Sequence, residues 1–180
     1  ADSENIESRF NVELDGIPYD AKFVFEEVGY NLEPSEIGAA FGLVQLKKLE
    51  ANISRRTSIL QEHNKFFSQY PDCMELPGQV DESHTGWIAF PFVVQDGAPF
   101  PRRDLQVFLE ERNIQTRTIF TGNILRQPGF RNIEHVESPN GYKVADQVMR
   151  GGILIACHQG LTEEQLAHIH ESFTEFAKRY

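Results

Sequence analysis

Polar and apolar positions alternate irregularly up to residue 34 and then fall into a helical rhythm. Ile37, Ala40, Phe41, Val44 and Leu46 recur at helical spacing and make a wide apolar face. Ser35 suits an N-cap, and Glu36 adds a favourable charge to the first turn. Pro34 presets a helical φ and biases Glu33 away from the helical region. Leu49, Ile53, Ile59 and Leu60 carry the pattern to about residue 67, ahead of Pro71. One continuous helix of that span is roughly 45–50 Å long. Gly38, Ala39 and Gly42 keep its first turns slim enough for another backbone to approach. Lys47, Lys48, Glu50, Arg55 and Arg56 read as a solvated face.

Beyond Pro71 the rhythm shortens. Residues 86–94 are β-branched and aromatic, the pattern of a strand, with Pro91 expected at an edge or bulge. Residues 102–112 place Leu105, Phe108 and Leu109 on one helical face. Residues 116–120 predict a second strand, 143–149 a short helix closed by Gly151 and Gly152, and 153–157 a third, fully apolar strand. Thr162-Glu163-Glu164-Gln165 is a capping box. The last helix is expected to bury Leu166, Ile169, Phe173 and Phe176 and to end in Lys178 and Arg179. Upstream, Asp15-Gly16-Ile17-Pro18 signals a turn, residues 23–25 read as a strand or extended arm, and residues 1–7 as a disordered or truncated lead-in. The pattern predicts an α+β domain: a small, mostly antiparallel or mixed sheet with helices on one face, led by the long helix.

Composition narrows the function classes. The 180 residues suffice for one domain with a real core, and 40% hydrophobic with 24% charged residues is ordinary for a globular chain. A net charge of −10 argues against nonspecific nucleic-acid binding, though not against a small anion held by a few arginines. No apolar run is long enough to span a bilayer, so no membrane partner is expected. Cys73 and Cys157 cannot make a zinc site alone and read as free thiols in a cytoplasmic protein. The histidines show no metal spacing; His168 and His170, two apart on a helix, cannot share a face.

Three stretches carry candidate chemistry. Asn31, in Gly29-Tyr30-Asn31, is either an amide donor to an anion at a helix entrance or a left-handed turn residue. Arg117 follows a predicted strand, and Arg126 lies in the loop Gly122-Asn123-Ile124-Leu125-Arg126-Gln127-Pro128. Their guanidinium forks suit diphosphate or carboxylate oxygens, or else they are ordinary surface arginines. His158-Gln159-Gly160-Leu161-Thr162 reads as a structural strand-to-helix connection.

From about Tyr19 to the C-terminus the chain resembles the DegT/StrS family of nucleotide-sugar aminotransferases and dehydratases. The likeness rests on Gly29-Tyr30-Asn31, Ser35-Glu36-Ile37, Ala39-Ala40 and Leu43-Val44-Gln45-Leu46. The 122–128 string resembles the branch that includes nucleotide-linked 4-keto-6-deoxyhexose 3-dehydratases. The resemblance implies the C-terminal small domain of the aspartate-aminotransferase-like fold (fold type I), with residues 1–34 as an arm of the large cofactor domain and 35–180 as the small domain. It implies pyridoxal 5'-phosphate or pyridoxamine 5'-phosphate as cofactor of the whole enzyme, a homodimer, and a nucleotide-sugar substrate. Asn31, with Tyr30, would reach the cofactor phosphate of the other subunit, while Arg117, Asn123 and Arg126 would bind the substrate. The lysine or histidine that does the chemistry would lie in a domain that nothing in this sequence resembles. Hence no catalytic residue is assigned, no bound cofactor is expected, and the chain alone is expected to be inactive. Lys22 reads as structural or supporting. The rival within the family is a plain sugar aminotransferase, and the rival from another class is a binding or dimerisation module without a cofactor.

Overall fold

The computed structural model describes residues 9–30 and 32–180. The expectations for residues 1–7 and for Asn31 therefore lie outside the described residues. The chain divides into two compact units, Ala1–Val44 and Gln45–Tyr180.

In the first unit, β1 (Val12–Leu14) and β2 (Ile17–Tyr19) form an antiparallel hairpin. Asp15 and Gly16 turn it with φ of 50° and 80°, the paired left-handed conformation that a two-residue hairpin favours and an Asp-Gly dipeptide permits. Residues 23–25 form no strand: Ala21–Phe23 is a 3-10 turn capped by Asp20, whose carboxylate accepts from the Lys22 amide at 3.0 Å, and Val24 beyond it is extended but unpaired in any sheet among the described residues. The first helix, α1 (Glu36–Leu46), buries none of its residues, and among the described residues nothing lies within 4 Å of where a Cβ on Gly38 or Gly42 would be.

The single long helix of the sequence reading is two helices. Lys47 and Lys48 form a turn between α1 and α2 (Leu49–Phe67), with the Lys48 amide bonded to Gln45 O at 3.0 Å. That i−3 bond tightens the last turn of α1, and with no glycine or proline at 46–49 nothing local marks the break.

The second unit is built on a three-stranded antiparallel sheet in the order β3 (Met74–Glu75), β4 (Ala89–Val94), β5 (Gly152–Ala156). Period-two alternation sends Phe90, Phe92, Val94, Ile153 and Ile155 to one face, where they are buried. Against them lie Ile59, Leu60 and Phe67 of α2, Leu105, Phe108 and Leu109 of α3 (Arg102–Glu110), and Leu166, Ile169, Phe173 and Phe176 of α5 (Glu163–Ala177). Phe67 stacks on Phe90 and Phe92 at 5.4 and 5.3 Å and meets Phe173 edge-on at 5.1 Å. The α4 helix (Lys143–Gly151) leads directly into β5. The α5 helix opens with its capping box formed in both directions, Gln165 N to Thr162 Oγ1 at 3.2 Å and Thr162 N to Gln165 Oε1 at 3.0 Å.

Pro91 sits in the central strand rather than at an edge. Its partner Leu154 spends its N–H and C=O on Arg117, at 2.7 and 3.0 Å, and not on Pro91. On the other side β3 pairs only with Val93 and Val94, so it stops short of Pro91. The missing proline donor thus falls where no ladder bond is required.

Arg55 and Arg56 are not a solvated face. Arg55 donates to Leu161 O (3.2 Å) and Glu163 (2.7 Å), and Arg56 to Gln159 (2.7 Å), so α2 holds the connection between β5 and α5. Below that connection His63 is fully buried. Its Nε2–H donates to Ala156 O at 3.0 Å, and its Nδ1 therefore accepts from His170 Nε2–H, also at 3.0 Å. Burial pushes both imidazoles down to about 4, so the pair is neutral at pH 7.

Candidate functional site

The candidate site is the loop from residue 116 to residue 130. Residues 116–120 do not form a full strand. Arg117 alone makes an antiparallel bridge, to Leu154 of β5. The Thr116 amide and hydroxyl both donate to Glu110 Oε1, at 2.5 and 2.8 Å, which anchors the loop to the end of α3. Extension stops at Phe120, whose φ is 46°. An aromatic residue there carries about 1–2 kcal/mol of steric cost. The Thr118 hydroxyl donates to Phe120 O (3.0 Å), the Gly122 amide bonds to Ile119 O (3.1 Å), and the Phe120 ring is left 87% exposed.

Gly122 has no substitute here. Its φ is 62°, and a Cβ on it would stand 2.5 Å from Met149 Cβ and 2.7 Å from Met149 Cα. That contact seats the loop on α4. Asn123 then caps the 3-10 turn Ile124–Arg126, accepting from the Leu125 amide at 3.1 Å, and donates to Asp146 Oδ1 at 2.8 Å. Arg126 closes on the same carboxylate, Nε to Oδ1 at 2.5 Å and Nη2 to Oδ2 at 2.6 Å. The guanidinium holds the Asp146 carboxyl well below the usual carboxylate range, with the Asn123 bond adding to it. Gln127 bonds back to Thr121 O at 3.1 Å and closes the loop on itself.

Of the residues singled out in the sequence, Arg117, Asn123 and Arg126 thus share one loop. Arg117 is exposed, and its guanidinium has no partner among the described residues. Arg126 is exposed but held by Asp146. Asn123 is buried and shapes the loop from beneath. Tyr30 is 88% exposed, while Asn31 lies outside the described residues. His158 accepts from the Gly160 amide at 3.2 Å within the turn to α5. Sequence reasoning missed Asp146 and Phe120. Asp146 lies 20 residues beyond Arg126, and no spacing rule connects them. The adjoining Gly122-Asn123 turn signal was the one hint that the chain bends sharply at Phe120.

A loop pinned between a sheet and a helix, with two exposed arginines, is one class of candidate site. The comparisons give it a family. Residues 1–174 match the DegT/DnrJ/EryC1/StrS aminotransferase family, and the chain belongs to it. It is 31% identical over 170 residues to the lipopolysaccharide biosynthesis protein RfbH of Salmonella typhimurium, covering 93% of this chain and 39% of that protein. It is 32% identical over 179 residues to the dTDP-4-dehydro-2,6-dideoxy-D-glucose 3-dehydratase of Saccharopolyspora spinosa, covering 95% and 37%. Among solved structures it resembles GDP-4-keto-6-deoxymannose-3-dehydratase with a trapped PLP-glutamate geminal diamine. There the TM-score is 0.73 at 25% identity, over 84% of this chain and 38% of that one. The chain thus spans about two fifths of the length of the curated relatives it matches. The fold is that of pyridoxal-phosphate aminotransferase-like proteins of this family.

Proposed function

We propose that this chain is the C-terminal part of a pyridoxal- or pyridoxamine-phosphate enzyme. The whole enzyme removes the C3 hydroxyl of a nucleotide-linked 4-keto-6-deoxy sugar on the way to a surface polysaccharide or glycosylated product. The observation that carries the reading is the 116–130 loop, which gathers two arginines on a rigid seat, in a chain similar to two named 3-dehydratases. Arg117 and Arg126 donate to the anionic part of the sugar nucleotide, and Asn123 fixes the turn that carries Arg126. The cofactor, when bound, supplies an electron sink for proton removal next to the sugar carbonyl carbon. Tyr30 presents an exposed phenol that fits a donor to its phosphate, and Asn31 is the second donor. This chain contributes no catalytic lysine or histidine and is inactive alone. The exposed apolar surface of α1, with Ile37, Phe41, Leu43 and Leu46, supports association with the rest of the enzyme and its homodimer.

The test is turnover by the full-length enzyme, with pyridoxamine phosphate and GDP- or dTDP-linked 4-keto-6-deoxyhexose, read by mass spectrometry. A product lacking the C3 hydroxyl is expected. An amine in place of the C4 ketone would make the protein a plain sugar aminotransferase, and no turnover of either substrate would overturn the reading. Turnover by residues 1–180 alone would overturn the division of labour.

A further inference from the structure

The ion pair between Arg126 and Asp146 raises a question about what the arginine can still do. A guanidinium carries five N–H groups in one plane. Asp146 takes one from Nε and one from Nη2. No other described residue bonds this side chain, so Nη1 and the outer Nη2 hydrogen remain as a second edge, turned away from the carboxylate. The Arg126 side chain is 60% exposed, whereas that of Asp146 is only 19% exposed. The carboxylate is therefore the fixed partner and the arginine the presented one.

Asp146 is fixed from several directions. It lies in the first turn of α4, its amide bonded to Tyr142 O at 2.9 Å, and Asn123 donates to its Oδ1. The α4 helix is fastened in turn: Arg102 donates to Met149 O at 2.8 Å, and Gly122 packs on Met149. A bidentate fork onto an immobile carboxylate sets the plane of the guanidinium as well as its position.

We infer that Asp146 is a positioning residue for Arg126, holding the guanidinium plane so that its open edge meets a phosphate oxygen of the sugar nucleotide. The inference rests on the proposed role of Arg126 in substrate binding. Because Asp146 offsets most of the arginine's charge, Arg126 contributes directed hydrogen bonds more than attraction at a distance.

The test uses full-length enzyme and titrates GDP, dTDP, CDP and UDP, carrying forward the tightest. Arg126→Ala is expected to weaken that nucleotide about 10- to 100-fold, the range for a charged hydrogen bond. Asp146→Ala and the isosteric Asp146→Asn are expected to weaken it about 3- to 10-fold, and to raise KM for the sugar nucleotide more than they lower kcat. Since Asp146 acts through Arg126, the double variant Arg126→Ala/Asp146→Asn should bind no more weakly than Arg126→Ala. Wild-type affinity in both Asp146 variants would overturn the inference. So would multiplying losses in the double variant, which mean that Asp146 holds the loop as a whole. If no nucleotide binds, or Arg126→Ala binds as wild type, the substrate role of Arg126 fails first and the inference with it. That failure is visible before Asp146 is changed.

Discussion

Acidification should destabilise the second unit through His63, and the size of the effect follows from the geometry. The His63 ring is enclosed by Phe67, Phe90 and His170, and both its nitrogens are engaged. Nε2 already carries the proton it gives to Ala156 O, and Nδ1 can take one only by losing its bond from His170 or forcing His170 to change tautomer. Unfolded, the imidazole titrates at 6.5; folded, burial holds it at about 4. Above pH 6.5 neither state is protonated, and the stability is fully present. As pH falls from 6.5 to about 4 the unfolded chain binds a proton that the folded one refuses, so stability drops throughout that window. Below pH 4 this residue changes nothing further. At 1.36 kcal/mol per pH unit the loss is about 3 kcal/mol from His63. His170 acts in the same direction but less, because it lines a surface groove of about 300 Å³ with Phe66, Glu171, Thr174, Glu175 and Lys178. Arg9 holds Asp20 at about 2 and Arg126 holds Asp146 lower still, so their contributions fade only below this window. Urea unfolding at pH 7, 6, 5 and 4, for the wild type and His63→Phe, isolates the effect. The variant is expected to show the shallower decline. Parallel declines in the two proteins, or a flat wild-type profile between pH 6.5 and 4, would refute the reasoning.

Thr162→Ala removes half of a formed capping box and should cost about 1 kcal/mol, read as a lower urea midpoint with an unchanged m-value. Gly122→Ala forces a Cβ against Met149 at a positive φ. It should cost more than about 1 kcal/mol and speed amide exchange in residues 117–127 before the rest of the unit. In full-length enzyme, Asn31→Ala is expected to weaken pyridoxal phosphate about 10- to 100-fold. Asn31→Gly should do the same, because glycine keeps a turn and loses the amide; normal affinity in the glycine variant would end the phosphate role.

Local chemistry was legible wherever it acted alone. The α3 and α5 faces, with Leu105, Phe108 and Leu109 and with Leu166, Ile169, Phe173 and Phe176, followed from helical spacing and are buried. The Thr162 capping box followed from four consecutive residues. Two strands of the small antiparallel sheet, β4 and β5, followed from short apolar runs; β3 did not, and residues 116–120 supply only the bridge at Arg117. The family was legible too, because turn, cap and helix residues near Tyr30 occur in a fixed order.

What the sequence left open depended on residues far apart in the chain. Whether Arg55 and Arg56 are solvated or bonded was decided by the path of residues 159–163, about a hundred positions away. Pro91 reads as an edge residue, yet it sits in the central strand because β3 is short and Leu154 bonds to Arg117 instead. His63 and His170 carry no shared signal and meet only when α2 and α5 pack. Arg126 was chosen for its loop, but Asp146 decides which of its edges is free. Periodicity, caps and turns report the energy of a residue and its near neighbours along the chain. Burial, tautomer and the direction of a guanidinium fork depend on groups that only the packed structure brings within about 3 Å.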